Sequence, residues 1–210
     1  RLGAYTIRFF RLNHNIPDTI GISIKTPDAH VVYATDWKFD HTPVDGKPSE
    51  FDKIAKFGGE GVTMLMSDST NAEEPGYSLS EKDLGETIDR IIRDAPGRVV
   101  FATFSSLINR IQQVFNTADK CDRKVVVTGR SIVTNVEIAF GLGILKIPPK
   151  LIIRAEAARR LPDNKVVILS TGSQGEEAAA LARMARGEHR TVTIKKGDTV
   201  VVSASPIPGN

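Results

Sequence analysis

Cysteine is almost missing from this chain: Cys121 stands alone among 210 residues. An internal disulfide is thereby excluded, and the sparing use of thiol suits a reducing, cytoplasmic setting. Long apolar runs are missing as well. None approaches the ~20 residues that cross a bilayer, so no membrane partner is expected. The opening residues carry no signal-peptide pattern, and neither a fixed-period repeat nor a low-complexity tract occurs. Nucleotide fingerprints are also wanting. Thr171-Gly172-Ser173-Gln174-Gly175-Glu176 lacks the Lys-Ser/Thr of a P-loop and the third glycine of a dinucleotide site, which excludes ATPase and dehydrogenase readings.

What is present is ordinary in bulk and uneven in detail. Apolar residues make up 40% and charged residues 25%, the balance of a globular protein with one sizeable core or two small ones. Residues 1–75 hold 8 Lys/Arg against 11 Asp/Glu, whereas residues 76–210 hold 20 against 14. An acidic first part and a basic second part suit a cation site beside a polyanion-binding surface. Solvated surface charge would give the same count.

The first part reads as β-rich. Residues 5–12 form a strand that runs into Asn13-His14-Asn15-Ile16-Pro17-Asp18. Residues 19–25 alternate with period two, Thr26-Pro27-Asp28-Ala29 turns, and residues 30–34 return as a hairpin ending at Thr35-Asp36-Trp37-Lys38. His14 and Asp36 therefore each follow a strand, on loops of the kind that carry catalytic and metal-binding residues. A short helix is expected after Ser49 as N-cap, with Phe51, Ile54 and Ala55 inward and Gly58-Gly59 as its stop. Residues 62–66 read as a buried strand delivering Ser67-Asp68-Ser69-Thr70-Asn71. Glu73-Glu74-Pro75-Gly76 marks the expected boundary between domains 1–75 and 76–210.

Beyond it, helix and strand alternate. Ser80 caps a helix with Leu84, Ile88, Ile91 and Ile92 on one face. Strands are expected at 98–102, 124–127, 166–169, 192–194 and 199–203. Thr103-Phe104-Ser105-Ser106, Thr128-Gly129-Arg130-Ser131 and Thr171-Gly172-Ser173-Gln174 turn from strand into helix. Such alternation with short loops argues for a mainly parallel, doubly wound sheet, whose ligands collect outside the carboxyl ends of the strands. In the last unit Gly172 and Gly175 allow a sharp turn and a close backbone approach. The alanine-rich helix that should follow would aim its free N–H groups at a phosphate. Any α/β protein needs helix caps of this composition. Three such turns on one rim, with Arg110 and Arg130 close in sequence, favour a phosphate or nucleic-acid ligand.

His14 and Asp36 pair imidazole with carboxylate, which is right for zinc or manganese, but two ligands are not a site. Asp68 reads as a general acid, a metal-orienting carboxylate or the Asx cap of a turn.

Taken as a set, these residues resemble the ribonuclease J family, in the β-CASP branch of the metallo-β-lactamase superfamily. The matching blocks are Asn13-His14-Asn15-Ile16-Pro17-Asp18, Asp36-Trp37-Lys38-Phe39-Asp40, Ser67-Asp68-Ser69-Thr70-Asn71, Thr103-Phe104-Ser105-Ser106, Arg110-Ile111-Gln112-Gln113, Thr128-Gly129-Arg130-Ser131, Thr171-Gly172-Ser173-Gln174-Gly175-Glu176 and Ser203-Ala204-Ser205-Pro206-Ile207-Pro208-Gly209-Asn210. The resemblance implies an α/β chain: part of a metallo-β-lactamase αββα core over 1–75, then most of a β-CASP domain over 76–210. It implies His14 as a metal ligand, Asp36 as the catalytic carboxylate bridging two metals, and Asp68 as a catalytic acid beside them. Ser69, Thr103, Ser105, Ser106, Arg110, Arg130, Ser173, Gln174 and Gly175 would line an RNA-phosphate path. The cofactor implied is zinc, two per complete site, with manganese or magnesium as alternatives. The partner implied is single-stranded RNA with a 5′-monophosphate end, cut from that end and internally by metal-activated water. Two metals suit this reaction because they can stabilise both attacking and leaving oxygens. A homo-oligomer is implied for the full-length protein.

The departures are informative. No His-x-His-x-Asp-His motif exists among His14, His30, His41 and His189, although the family takes most of its metal ligands from one. Its later β-CASP histidine motifs are missing too. The expectation is an internal fragment that neither holds two metals nor cleaves RNA alone. Thr35 stands where a glycine usually precedes the bridging aspartate, Leu107 and Asn109 replace a usual Asn and His, and Glu177 replaces a usual proline. Two other readings stay open: a different β-CASP or lactamase-fold hydrolase, and a non-catalytic RNA-binding or assembly module.

Overall fold

A computed structural model describes residues 2–204; Arg1 and residues 205–210, which include most of the matching block at 203–210, lie outside the described residues. Contacts divide the chain into two compact units, Arg1–Leu84 and Gly85–Asn210.

The first unit is a mixed sheet with one helix. Strands β1 (Thr6–Arg11), β2 (Ile20–Lys25) and β3 (His30–Tyr33) pair antiparallel in the expected hairpin register, and β4 (Met64–Met66) adds parallel to β3. Alternate side chains of β1 and β3, among them Phe10 and Val32, meet helix α1 (Phe51–Gly59) through Phe57. Three expectations fail here. Ser49 does not cap α1: its hydroxyl is taken by Asn13, and Glu50 occupies the cap position. The buried helix residue is Phe57, while Ala55 is exposed. Met64, Leu65 and Met66 are exposed on β4, which takes the outer place in the order β1-β2-β3-β4.

The division between units falls inside helix α2 (Glu81–Asp94), beyond the boundary read at Gly76. The first turn of α2 is tied into the first unit. Lys38 Nζ meets Glu81 Oε1 at 3.0 Å, Glu81 N–H donates to Asp40 Oδ2 at 3.1 Å, and the hydroxyls of Thr42 and Ser80 lie 2.9 Å apart. Ser80 does cap α2, accepting from Lys82 N–H at 3.2 Å.

The second unit is an all-parallel sheet in the order β6-β7-β5-β8, from β5 (Val99–Thr103), β6 (Lys124–Thr128), β7 (Val166–Ser170) and β8 (Thr199–Ser203). Its inner strands β5 and β7 are buried along their whole length, which is why they read as unbroken apolar runs. Val99, Phe101, Val125, Val167 and Leu169 pack on one face against α2, α3 (Ile108–Lys120) and α4 (Arg130–Gly141). Val100, Val126, Val166 and Ile168 pack on the other, against Ala180 and Met184 of α6 (Ala180–Ala185) and near the short helix α5 (Ala155–Ala158). Each large side chain buried this way contributes about 1.5–3 kcal/mol. The doubly wound arrangement is thus as expected. Residues 192–194 are not a strand: Val192 N–H goes to His189 Nδ1 and Ile194 N–H to Met184 O. Among the described residues no helix is long and apolar enough to cross a membrane.

Candidate functional site

Strands β1 and β3 are both antiparallel to β2, so they run the same way, and β4 runs with β3. The segments that leave β1, β3 and β4 must therefore emerge at one edge of the sheet, and they carry His14, Asp36 and Asp68. Three links hold these segments together. Lys38 N–H donates to Asn13 O (2.8 Å), Ala34 N–H to Met66 O (2.8 Å), and Trp37 Nε1–H to Ser67 Oγ (2.9 Å). His14 Nε2 lies 3.9 Å from Asp36 Oδ2, with the Asp36 side chain 76% exposed. The Asp68 carboxylate accepts from the Thr70 hydroxyl (2.6 Å) and Thr70 N–H (2.8 Å). These bonds, with the nearby His14, hold its pKa below the usual carboxylate range against partial burial. Asp68 is therefore an anion at neutral pH, and the Asx-turn and charged-site readings hold together.

Asn13, which opens the first matching block, is buried at this edge. Its N–H donates to Ser49 Oγ (3.0 Å), its Oδ1 accepts from Ser49 N–H (2.8 Å) and Ser49 O–H (2.9 Å), and its Nδ2 donates to Lys47 O (2.8 Å). The residue before His14 is thus fixed on every polar atom. An Asn before a candidate ligand was the only signal available; Ser49 is 36 positions away.

The donor chemistry fits a metal only in part. Imidazole and carboxylate oxygen are suitable donors, but among the described residues no group of three or more His, Cys, Asp or Glu could hold an ion. The described residues alone do not make a metal site.

In the second unit the registers place Thr128 beside Ser170, Ser170 beside Ala102, and Thr103 beside Ser203. The turns at 103–106, 128–131 and 171–174 consequently leave one carboxyl edge. Helices α3 and α4 return on one face and α6 on the other, so β7 stands at a change of side, where open α/β sheets take ligands. The side chains serve different ends. Thr103 is fully buried and its hydroxyl donates to Ser203 O (3.3 Å). Arg110, only 9% exposed, donates from Nη1 to Ser203 O (3.3 Å) and Oγ (3.2 Å), tying α3 to β8. Ser105 and Ser106 are half-buried; Asn135 Nδ2 donates to Ser105 O at 2.9 Å. Arg130 is exposed in the first turn of α4, as is Ser69 in its loop. Ser173 and Gln174 are buried, with Gln174 N–H donating to Glu176 Oε2 at 3.3 Å, and Gly175 is exposed.

The alanine-rich helix expected after this turn is present, but it begins late and is short. Residues 176–179 turn once more, with Ala179 N–H on Glu176 O, and α6 starts only at Ala180 and runs six residues. Leu181 N–H returns to Thr171 O (3.1 Å). Gly172 (φ 105°) is required for this packing, since a Cβ there would lie 2.9 Å from the Cβ atoms of Ala179 and Leu181. The bare backbone at Gly172 makes room for α6, not for a ligand.

A parallel sheet covered on both faces, with hydroxyl-bearing turns along its carboxyl edge, is an open α/β domain of the doubly wound class. The family model described as "Ribonuclease J, beta-CASP domain" matches residues 96–210. The chain belongs to the ribonuclease J family. It is 48% identical over 211 residues to ribonuclease J of Thermus thermophilus (100% of this chain, 37% of that protein). It is 46% identical over 208 residues to ribonuclease J of Corynebacterium glutamicum (99% and 29%). Over 205 residues it is 46% identical to ribonuclease J 1 of Streptococcus pyogenes (98% and 36%). The chain thus spans about a third of the length of the curated relatives it matches. A crystal structure of a protein of unknown function from Enterococcus faecalis V583 superposes with TM-score 0.55 at 16% identity, over 80% of this chain and 42% of that one. At that identity the likeness speaks for the fold alone.

Proposed function

We propose that these 210 residues are part of a metal-dependent ribonuclease of RNA processing and decay. The enzyme acts on single-stranded RNA, 5′ to 3′ from a 5′-monophosphate end and also internally. The observation that carries this reading is the single sheet edge bearing His14, Asp36 and Asp68 in a chain of this family. In the proposal, His14 and Asp36 would supply two donors of a zinc centre, with manganese or magnesium as alternatives, and Asp36 would be the carboxylate shared between the ions, which would activate the attacking water. Asp68 is the neighbouring acid. The remaining donors come from outside these residues, which fits both the donor count and the greater length of the relatives. For the RNA-phosphate path the first unit offers Ser69, and the basic unit offers Ser105, Ser106, Arg130 and the 173–175 turn, together with Thr103 and Arg110. The active protein is cytoplasmic and homo-oligomeric.

By itself the chain holds no metal pair and cleaves no RNA. Robust EDTA-sensitive cleavage by the purified 210-residue chain would overturn this. When the chain replaces the matching segment of the Thermus thermophilus relative, the chimaera degrades 5′-monophosphorylated RNA, and Asp36→Ala lowers the rate at least about a hundredfold. Faster cleavage of single-stranded DNA or small esters than of RNA would assign a different hydrolase of the same fold. The incomplete donor set also supports a non-catalytic RNA-binding or assembly role; a chimaera that binds RNA but never cuts it would favour that alternative.

A further inference from the structure

The two metal-type donors at the first unit's sheet edge are weakly held at their own side chains. Among the described residues no hydrogen bond reaches the His14 imidazole, which lies 3.9 Å from the largely exposed Asp36 carboxylate. A metal-ligating histidine is ordinarily aimed by a partner on its second ring nitrogen. Here the aim has to come from the main chain, and on both sides the main chain leads to Asn13. His14 follows it directly. Lys38, two residues after Asp36, donates its N–H to Asn13 O at 2.8 Å in an antiparallel bridge.

Asn13 is in turn fixed from a distance. Strand β1 is outermost in its sheet, and Leu12 N–H points inward to Thr19 O, so the N–H groups of Arg11 and Asn13 face the open edge. Residues 49 and 50 take the place of a neighbouring strand there, through two reciprocal pairs. Arg11 N–H donates to Glu50 Oε2 (2.8 Å) while Glu50 N–H donates to Arg11 O (3.0 Å). Asn13 N–H donates to Ser49 Oγ (3.0 Å) while Ser49 N–H and O–H donate to Asn13 Oδ1 (2.8 and 2.9 Å). Asn13 and Ser49 are both buried, so water cannot stand in for the hydroxyl.

We infer that Ser49, acting through Asn13, is the positioning residue for both donors: its hydroxyl sets where His14 sits beyond β1 and where the Asp36 segment docks. The ligand served is a divalent cation of the zinc class, and the role rests on the metal centre proposed above. Ser49 is hydrogen-bonded to neither donor and stands 36 positions from Asn13.

Ser49→Ala removes the hydroxyl and leaves the buried Asn13 N–H without its acceptor. Ser23→Ala is the control, because it deletes a buried hydroxyl in the middle of β2, bonded to His30 Nε2 at 2.8 Å. Amide exchange of the 210-residue chain reads the local effect. Lys38 N–H should exchange at least about tenfold faster in Ser49→Ala than in Ser23→Ala, and equal protection overturns the proposal. Zinc titration of the chimaera with the Thermus thermophilus relative, against a competing chelator, reads the consequence. Ser49→Ala should weaken zinc at least about tenfold and lower kcat on 5′-monophosphorylated RNA with KM unchanged, whereas Ser23→Ala keeps both. Equal weakening by Ser23→Ala would reduce Ser49 to general stability and sink the proposal. Unchanged zinc affinity in Ser49→Ala, in a chimaera that itself binds zinc, overturns this role alone. A chimaera that binds no zinc before any substitution overturns the metal reading, and this role with it.

Discussion

The backbone immediately before Asp36 is wound into the left-handed region, at Thr35 with φ 44°. For an L-residue this conformation costs about 1–2 kcal/mol, and a β-branched side chain tolerates it poorly. The Thr35 hydroxyl recovers part of that by donating to Ile20 O at 3.2 Å. A glycine would enter the same turn without strain. Thr35→Gly should raise the unfolding free energy by about 0.5–1 kcal/mol after losing the Ile20 bond, read from the denaturant midpoint. A decrease would show that the hydroxyl outweighs the strain. His189 makes a second prediction at this scale. Burial, aided by the Arg183 charge, pushes its pKa below the ordinary histidine value of 6.5, so the folded chain keeps the ring neutral. The unfolded chain takes up the proton first as pH falls. The stabilisation is therefore complete above pH 6.5 and is lost as pH drops through the lower folded value. Between pH 7 and 5.5 the melting temperature should fall more steeply for the wild-type chain than for His189→Gln; parallel curves would refute it.

At the scale of elements, the 171–179 connection shows how a local pattern can mislead. Small and hydroxyl-bearing residues after a buried strand suggest a helix N-terminus, yet the helix waits until Ala180 because the preceding turn is used for packing. Gly172 and Gly175 both have positive φ, but only at Gly172 would a Cβ strike its surroundings; at Gly175 nothing lies within 4 Å. Gly172→Ala should destabilise by about 2–4 kcal/mol, from backbone strain plus overpacking, and Gly175→Ala by about 1 kcal/mol from strain alone. Chemical denaturation of the two variants checks the order, and equal losses would show that α6 yields to the methyl group.

Across the whole molecule, the two units carry opposite charge. Residues 1–84 hold 9 Lys/Arg against 13 Asp/Glu, and residues 85–210 hold 19 against 12. An acidic unit with the metal-type donors and a basic unit with the phosphate-type turns form the charge pattern that the proposed nuclease, holding cations and a polyanion, would need. If the basic unit grips three to five RNA phosphates, log affinity for single-stranded RNA should fall with log salt at a slope of about −2 to −3.5. Filter binding or fluorescence anisotropy between low and physiological salt measures it. A flat dependence would return the positive charge to ordinary solvation.

The sequence by itself determined the strand–helix order, the hairpin, the family and the three turns, because apolar period, turn chemistry and motif order are local properties. It could not determine which strands lie at an edge, or that Met64–Met66 are exposed. Nor could it see that Ser49 would be claimed by Asn13, or that Arg110 would be drawn under β8. Those depend on neighbours dozens of residues away. Whether His14 meets Asp36 was decided only when the sheet brought distant segments together. A polar side chain's role is set by the partner it finds, and that partner is chosen by the tertiary fold.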